Sequence, residues 1–121
     1  QTCALPISTL EEKIGRNIFD KMIRFKANLL TKNSSYPENH HHLPHTDNPF
    51  FETESLLYYV NETDGETFFF NEKPPCKKLT VKSKLHPRKG TMVFFDSSYY
   101  HASSPPRFHD ARLVLNIVFK K

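Results

Sequence analysis

The chain has 121 residues and a formal net charge of +4, and 37% of its residues are hydrophobic. This length allows one domain with a modest core, and no apolar run approaches the roughly 20 residues that cross a bilayer. The composition is that of an ordinary globular protein, and the mild positive charge is compatible with an anionic ligand.

The first residues do not resemble the start of a protein. They read Gln1-Thr2-Cys3-Ala4-Leu5-Pro6-Ile7, which is the translation of a common sequencing adapter in one frame, and the next adapter base permits Ser8. We expect residues 1–8 to be such an artefact and residues 9–121 to form one domain that lacks its natural N-terminal part. A genuine segment of a clipped protein is the alternative. Cys76 is then the lone cysteine, which favours a reducing, cytoplasmic setting.

One helix and several short strands are predicted along the chain. Residues 9–23 favour a helix, because apolar residues recur at every fourth position and a capping box precedes them. The stripe consists of Leu10, Ile14, Ile18 and Met22. Alternation and β-branched or aromatic content predict strands at 24–31, 55–61, 67–71, 79–82, 91–95 and 111–119. The pair Asp64-Gly65, between the second and third strands, is typical of a hairpin.

Short strands joined by tight turns predict a mainly β sandwich or barrel. The last strand is informative because its two faces differ in composition. One face carries Arg112, Val114, Asn116 and Val118, and the other carries Leu113, Leu115, Ile117 and Phe119. The second face is wholly apolar and must be covered, and the N-terminal helix is the visible candidate. We expect the chain to aggregate where this face is uncovered.

Three residues form a candidate metal site. His45 and Asp47 are two positions apart, so on an extended strand their side chains point to the same side. His101 can supply a third ligand. Two histidines and one carboxylate form the facial triad of non-haem iron(II) oxygenases, which leaves three positions open for a chelating co-substrate and dioxygen. The triad alone is a weak signal, since His-x-Asp also occurs as a pair of surface polar residues.

An ordered series of motifs makes the signal more specific. The series is Pro44-His45-Thr46-Asp47, Leu57-Tyr58-Tyr59-Val60-Asn61, Asp64-Gly65-Glu66-Thr67, Pro87-Arg88-Lys89-Gly90, Phe94-Phe95-Asp96, Tyr100-His101 and Arg112. From about Asn28 to its end, the chain resembles the prolyl 4-hydroxylase-type branch of the 2-oxoglutarate oxygenases, in the forms found in phages and marine bacteria. The resemblance implies a double-stranded β-helix, a jelly-roll core with an N-terminal helix packed on it and the metal at its mouth. It also implies Fe(II), 2-oxoglutarate as co-substrate, and O2.

The resemblance gives Arg112 the role of binding the far carboxylate of 2-oxoglutarate. A planar guanidinium pairs bidentately with a carboxylate, and a charge on so apolar a strand needs a partner. Some relatives have Ser or Thr two residues later, where this chain has Val114. We therefore expect Tyr59 to be the second carboxylate partner, with Asn116 and Asn28 as lesser candidates.

Other polar residues are assigned simpler roles. The run His40-His41-His42 predicts an exposed, flexible loop without a native function. Asp96 either orients His101 or caps the turn at Ser97. The basic stretch between residues 73 and 89 has no interleaved aromatic residues. Because single-stranded nucleic acid is bound by stacking on such residues, we expect no nucleic-acid partner.

The leading hypothesis is hydroxylation, by iron and 2-oxoglutarate, of a prolyl residue in a peptide or protein, or of a small molecule. Two alternatives are a non-catalytic metal-binding jelly-roll module and a zinc hydrolase. Neither alternative explains Arg112, because neither needs a group that binds a carboxylate.

Overall fold

The structure is a computed structural model, and it describes residues 20–48 and 52–121. The described residues form seven strands: β1 (Met22–Thr31), β2 (Thr53–Tyr59), β3 (Thr67–Phe70), β4 (Val81–Leu85), β5 (Met92–Asp96), β6 (His101–Ser103) and β7 (Ala111–Lys120). No helix long and apolar enough to cross a bilayer occurs in this part of the chain.

The strands form two antiparallel sheets. The larger sheet has the order β1-β7-β2-β5, and the smaller sheet has the order β4-β3-β6. His45 adds an isolated antiparallel bridge to His101, which extends the smaller sheet by one residue pair. Neighbours in the sheets are mostly distant in sequence, as in a double-stranded β-helix. The mainly β jelly-roll core expected from the sequence is confirmed.

The core lies on both faces of the larger sheet. Leu57, Tyr59 and Val114 point toward the smaller sheet and pack with its Phe69 and Leu85. A second cluster covers the opposite face and contains Leu56, Tyr58, Val60, Leu115, Ile117 and Phe119. The two clusters alternate along β2 and β7, so the division of the last strand into two faces is confirmed. The inward face also carries Arg112 and Asn116, which are both buried.

All six predicted strands are present, with small shifts at their ends, and the short strand β6 was not predicted. The largest shift is in β4, which spans Val81–Leu85 where residues 79–82 were expected. Residues 9–19 of the predicted N-terminal helix lie outside the described residues. Its last two residues, Met22 and Ile23, belong to β1. Met22 pairs with Phe119 of the apolar strand β7, and this long-range pairing overrides the local helical pattern there.

The hairpin prediction at Asp64-Gly65 is wrong, because β2 and β3 lie in different sheets. The two residues make tertiary contacts in place of a tight turn. The Asp64 carboxylate accepts hydrogen bonds from the backbone N–H groups of Arg107, Phe108 and His109. Gly65 packs so closely that a Cβ atom there would lie 2.7 Å from the side chain of Arg112.

Candidate active site

His45 and His101 are held side by side by backbone pairing. The N–H of each residue donates to the carbonyl of the other, at 2.9 Å in both directions. Residues that face each other in an antiparallel bridge project their side chains to the same side. The two imidazole rings therefore lie 4.3 Å apart, centroid to centroid. His101 is buried, and Phe95 packs edge-on against its ring.

Asp47 completes the cluster from the loop that follows His45. Its backbone N–H donates to the carbonyl of Ser97, and its side chain is fully buried. One carboxylate oxygen, Oδ2, accepts hydrogen bonds from Ser55 at 2.6 Å and from Asn116 at 3.3 Å. These bonds direct the other oxygen, Oδ1, toward the imidazoles. Oδ1 also accepts a hydrogen bond from the guanidinium of Arg24 at 3.2 Å.

The three side chains fit a metal ion. Oδ1 of Asp47 lies 3.9 Å from Nε2 of His45 and 3.5 Å from Nε2 of His101. Donor atoms that share one ion at about 2.1 Å lie roughly 3–4 Å apart. The group is the only cluster of at least three potential ligands among residues 20–48 and 52–121. The structure therefore brings the three residues of the sequence-predicted triad together.

The protonation states also suit metal binding, which requires an ionised carboxylate and neutral imidazoles. Burial is the largest influence on His101, and it lowers the pKa to about 4 although the charge of Asp47 acts in the opposite direction. Burial alone would raise the pKa of Asp47. The charge of His101 and the hydrogen bonds from Ser55 and Asn116 outweigh that effect, so the pKa of Asp47 lies below its usual value. Both side chains thus present lone pairs near neutral pH.

Arg112 is buried beside the triad, with only 2% of its surface exposed. Its Nε donates to the carbonyl of Gly65 at 2.9 Å, and its terminal nitrogen donates to the hydroxyl of Thr67 at 2.6 Å. No carboxylate of the described residues forms an ion pair with it. A buried cation without a counter-charge is costly, so the site is suited to an anionic ligand.

One cleft joins the two parts of the site. His45, His101, Thr67 and Arg112 all line it, and Leu57 and Val114 supply apolar wall. A ligand in this cleft can therefore contact the metal ligands at one end and the guanidinium at the other.

Tyr59, the residue expected from the sequence to be a second carboxylate partner, is not among the residues that line this cleft. The residue is fully buried, and its hydroxyl forms a 2.5 Å hydrogen bond with the hydroxyl of Thr67. Thr67 stands between Tyr59 and the cleft and also accepts the hydrogen bond from Arg112. Sequence reasoning quoted Thr67 only as part of a motif. Its role depends on β3 facing β2 and β7 across the core, a contact that no local pattern reveals.

Asn28 and Asn116, the two lesser candidates for binding a carboxylate, have different surroundings. Asn28 lines the cleft from β1. Asn116 lines it too, but its amide donates to Asp47, so it supports the metal site. Ser55 of β2 also donates a hydrogen bond to Asp47. Sequence reasoning missed Ser55, because a single serine in an apolar strand carries no distinctive pattern.

Asp96 caps the turn that follows β5. Its Oδ1 accepts hydrogen bonds from the backbone N–H and the hydroxyl of Ser98, and its Oδ2 accepts one from Lys121. The capping alternative is therefore the one that the structure shows.

The histidine run is only partly exposed. His41 packs against Phe68 at 4.9 Å and Phe70 at 5.3 Å, centroid to centroid. The prediction of an exposed loop is wrong for this residue, because the outer face of the smaller sheet is apolar and the ring covers it.

The fold and the site together define a jelly-roll protein with a two-histidine, one-carboxylate centre. Residues 31–120 match the family model described as the 2OG-Fe(II) oxygenase superfamily. The chain belongs to this superfamily, which implies Fe(II), 2-oxoglutarate and O2 as cofactor and co-substrates. No curated protein matches the chain.

Solved structures share the fold at low sequence identity. The chain is similar to the non-heme alpha-ketoglutarate-dependent epimerase SnoN from nogalamycin biosynthesis, with a TM-score of 0.60, 13% identity and 84% of this chain covered. It spans about half, 49%, of that protein. It is also similar to a cupin protein from Bacteroides fragilis, with a TM-score of 0.52, 10% identity, and 99% of this chain and 85% of that chain covered.

Proposed function

We propose that the chain is the catalytic core of a hydroxylase that holds Fe(II) through His45, Asp47 and His101 and binds the far carboxylate of 2-oxoglutarate through Arg112. One observation carries this proposal. Arg112 is buried, has no carboxylate partner among the described residues, and lines the same cleft as the two histidines. A dicarboxylate ligand can chelate the metal with one end and pair with the Arg112 guanidinium through the carboxylate at its other end.

The side chains have distinct tasks in this proposal. When bound, iron would supply the oxidative decarboxylation of 2-oxoglutarate by dioxygen, which is coupled to hydroxylation of the substrate. Ser55 and Asn116 orient the Asp47 carboxylate, and Phe95 fixes the ring of His101. Thr67 and the carbonyl of Gly65 hold the Arg112 guanidinium in place. Leu57 and Val114 exclude water from the middle of the cleft.

The proposed substrate is a prolyl residue of a peptide or protein, and a small molecule is the alternative. The resemblance to prolyl 4-hydroxylases supports the prolyl residue. The proposed compartment is the cytoplasm of a bacterial or phage-infected cell, and the exposed free thiol of Cys76 is suited to such a reducing setting.

An anaerobic titration with Fe(II) and then 2-oxoglutarate, followed by visible absorption, tests the proposal. We expect a metal-to-ligand charge-transfer band that needs both additions and is absent in His101→Ala. Arg112→Lys, which keeps the charge but loses the planar fork, should weaken 2-oxoglutarate binding at least about tenfold. His86→Ala, at an exposed histidine outside the cleft, is the matched control. A folded, metal-binding protein that forms no band would contradict the proposal.

The comparisons do not favour the two alternatives, and oxygen dependence separates them from the proposal. A zinc hydrolase would act without oxygen and would keep its activity with zinc in place of iron. A binding module would consume no 2-oxoglutarate under any condition. Succinate formation that requires iron and oxygen together would exclude both.

A further inference from the structure

The inward face of β1 is cationic where it borders the cleft. Arg24, Lys26 and Asn28 pair with Val118, Asn116 and Val114, which point toward the smaller sheet. Paired residues of antiparallel strands share a face, so these β1 side chains point inward as well. Phe25 and Leu29, on the other face of the strand, are apolar and exposed. The strand thus turns charged side chains toward the cleft, where Arg24 and Lys26 stay exposed to solvent, and apolar surface to the other side.

Lys26 lines the cleft together with His45, His101 and Arg112, and none of the residues that line this cleft is acidic. In the described part of the chain, Lys26 forms no ion pair with a carboxylate.

A count of the charges in the site with iron and 2-oxoglutarate bound indicates which kind of ligand Lys26 can pair with. Two positive charges on the iron and one on Arg112 are balanced by Asp47 and by the two carboxylates of 2-oxoglutarate. Imidazoles that are neutral contribute nothing. The loaded centre is therefore neutral, and Lys26 and the neighbouring Arg24 remain as excess positive charge beside the open side of the site.

We propose, on the basis of the function proposed above, that the substrate carries an anionic group, a carboxylate or a phosphate, that pairs with Lys26 of β1 while the reacting carbon lies at the metal. Charge in a cleft with apolar walls selects a ligand of opposite sign and speeds its capture. Arg24, which holds Oδ1 of Asp47 with a half-exposed side chain, adds to the same positive rim.

A different explanation for Lys26 exists. β1 is an edge strand of the larger sheet, and inward-pointing charges protect such edges from pairing with other chains. The two explanations predict different behaviour toward small anions.

Two small ligands that differ by one charge distinguish them. N-acetylaspartic acid α-amide carries one side-chain carboxylate, and N-acetylasparagine amide is its neutral counterpart. The protein is loaded with Mn(II) in place of iron and saturated with 2-oxoglutarate. Paramagnetic broadening of ligand proton resonances then reports binding close to the metal.

We expect the aspartyl ligand to be broadened at concentrations at which the asparaginyl ligand is not. Lys26→Met should weaken this binding up to about fivefold, the upper end of the range measured for exposed ion pairs. Lys26→Arg should restore it, and Lys77→Met, at an exposed lysine outside the cleft, should leave it unchanged.

Three results would overturn the inference. Equal broadening of the two ligands, or no effect of Lys26→Met, would support the alternative explanation, in which Lys26 protects the edge strand from pairing with other chains. Loss of 2-oxoglutarate binding in Lys26→Met, seen in the charge-transfer titration with Fe(II), would make Lys26 a co-substrate residue. Failure of the unaltered protein to bind 2-oxoglutarate would show instead that the proposed function itself is wrong, and the inference would fall with it.

Discussion

At the scale of single residues, the proposed site depends on side chains other than the three candidate metal ligands and Arg112. Ser55 and Asn116 donate hydrogen bonds to one oxygen of Asp47, and the other oxygen faces the two histidines. Thr67 lies at the centre of a chain of hydrogen bonds from Tyr59 to Arg112. Such supporting contacts set the orientation and basicity of the groups that do bind.

Ser55→Ala removes the 2.6 Å hydrogen bond to Asp47. We expect Fe(II) affinity to fall about tenfold or more, because the carboxylate is no longer held in its metal-facing orientation. Competition with a metal-sensitive chelating dye measures this directly. Ser35→Ala, at an exposed serine, serves as the control. Unchanged affinity in Ser55→Ala would show that the backbone of Asp47 alone positions the carboxylate.

Thr67→Val keeps the shape of the residue but removes the partner shared by Arg112 and Tyr59. We expect the dissociation constant of 2-oxoglutarate to rise about tenfold, since the guanidinium loses a charged hydrogen bond that fixes its plane. Iron binding should not change. The charge-transfer titration separates the two effects, with Thr80→Val, at an exposed threonine, as the control. A loss of iron affinity of the same size would contradict the assigned role.

At the scale of elements, the segment from Asn61 to Glu66 links the two sheets and anchors the loop before β7. Asp64 binds three consecutive backbone N–H groups of that loop, and Gly65 lets the chain pass close to Arg112. The segment therefore couples the crossing between sheets to the co-substrate end of the cleft.

Gly65→Ala should disturb this crossing. The added Cβ would lie 2.7 Å from both the Arg112 side chain and the Ser104 carbonyl oxygen, so we expect about 1–3 kcal/mol of destabilisation. We also expect weaker 2-oxoglutarate binding. Gly90→Ala is the matched comparison, because Gly90 has a φ of 85° and open space around it. It should lose stability through backbone strain while retaining 2-oxoglutarate affinity. Equal loss of affinity in both variants would contradict the prediction.

The contribution of Asp64 should depend on pH. Burial acts to raise its pKa, but hydrogen bonds from Arg107, His109 and Phe108 outweigh this and lower the pKa to about 2 from 3.8. A lowered pKa means that the carboxylate stabilises the fold above pH 3.8 and loses that effect as the pH falls toward 2.

Asp64→Asn should therefore be less stable than the unaltered protein at pH 7, by about 1 kcal/mol. The difference should narrow below about pH 4. Urea unfolding at several pH values measures it, with Asp110→Asn at an exposed position as the control. A difference that stays constant down to pH 3 would contradict the assigned role of the carboxylate.

At the scale of the whole molecule, the exposed apolar surface is not where the sequence placed it. The outward residues Leu115, Ile117 and Phe119 of the last strand are buried, at 5%, 0% and 1% exposure. The edge strand β1 does carry exposed apolar side chains, since Phe25 is 46% and Leu29 is 59% exposed. Apolar residues on an exposed edge strand promote association.

Aggregation of the chain thus remains a prediction, and β1 is now its expected source. Phe25→Thr with Leu29→Thr should lower the aggregated fraction at a given concentration, because threonine keeps β propensity and removes apolar surface. Light scattering coupled to size-exclusion chromatography measures this. Leu43→Thr, at an exposed leucine in a loop, is the control. A double variant that aggregates as readily as the unaltered protein would exclude β1 as the source.

The sequence by itself predicted the three candidate metal ligands that the structure brings together, a charged Arg112 on an otherwise apolar last strand, the six strands other than β6 and the two faces of β7. The strands and faces follow from alternation along the chain, whereas the candidate ligands and Arg112 were recognised from an ordered series of motifs. Only the tertiary structure decided the crossing at Asp64-Gly65, the support of Asp47 by Ser55 and Asn116, the position of Thr67 and the charged lining by Lys26. Those contacts join residues 8 to 69 positions apart, and such distances are closed by the pairing of whole strands, which no local pattern encodes.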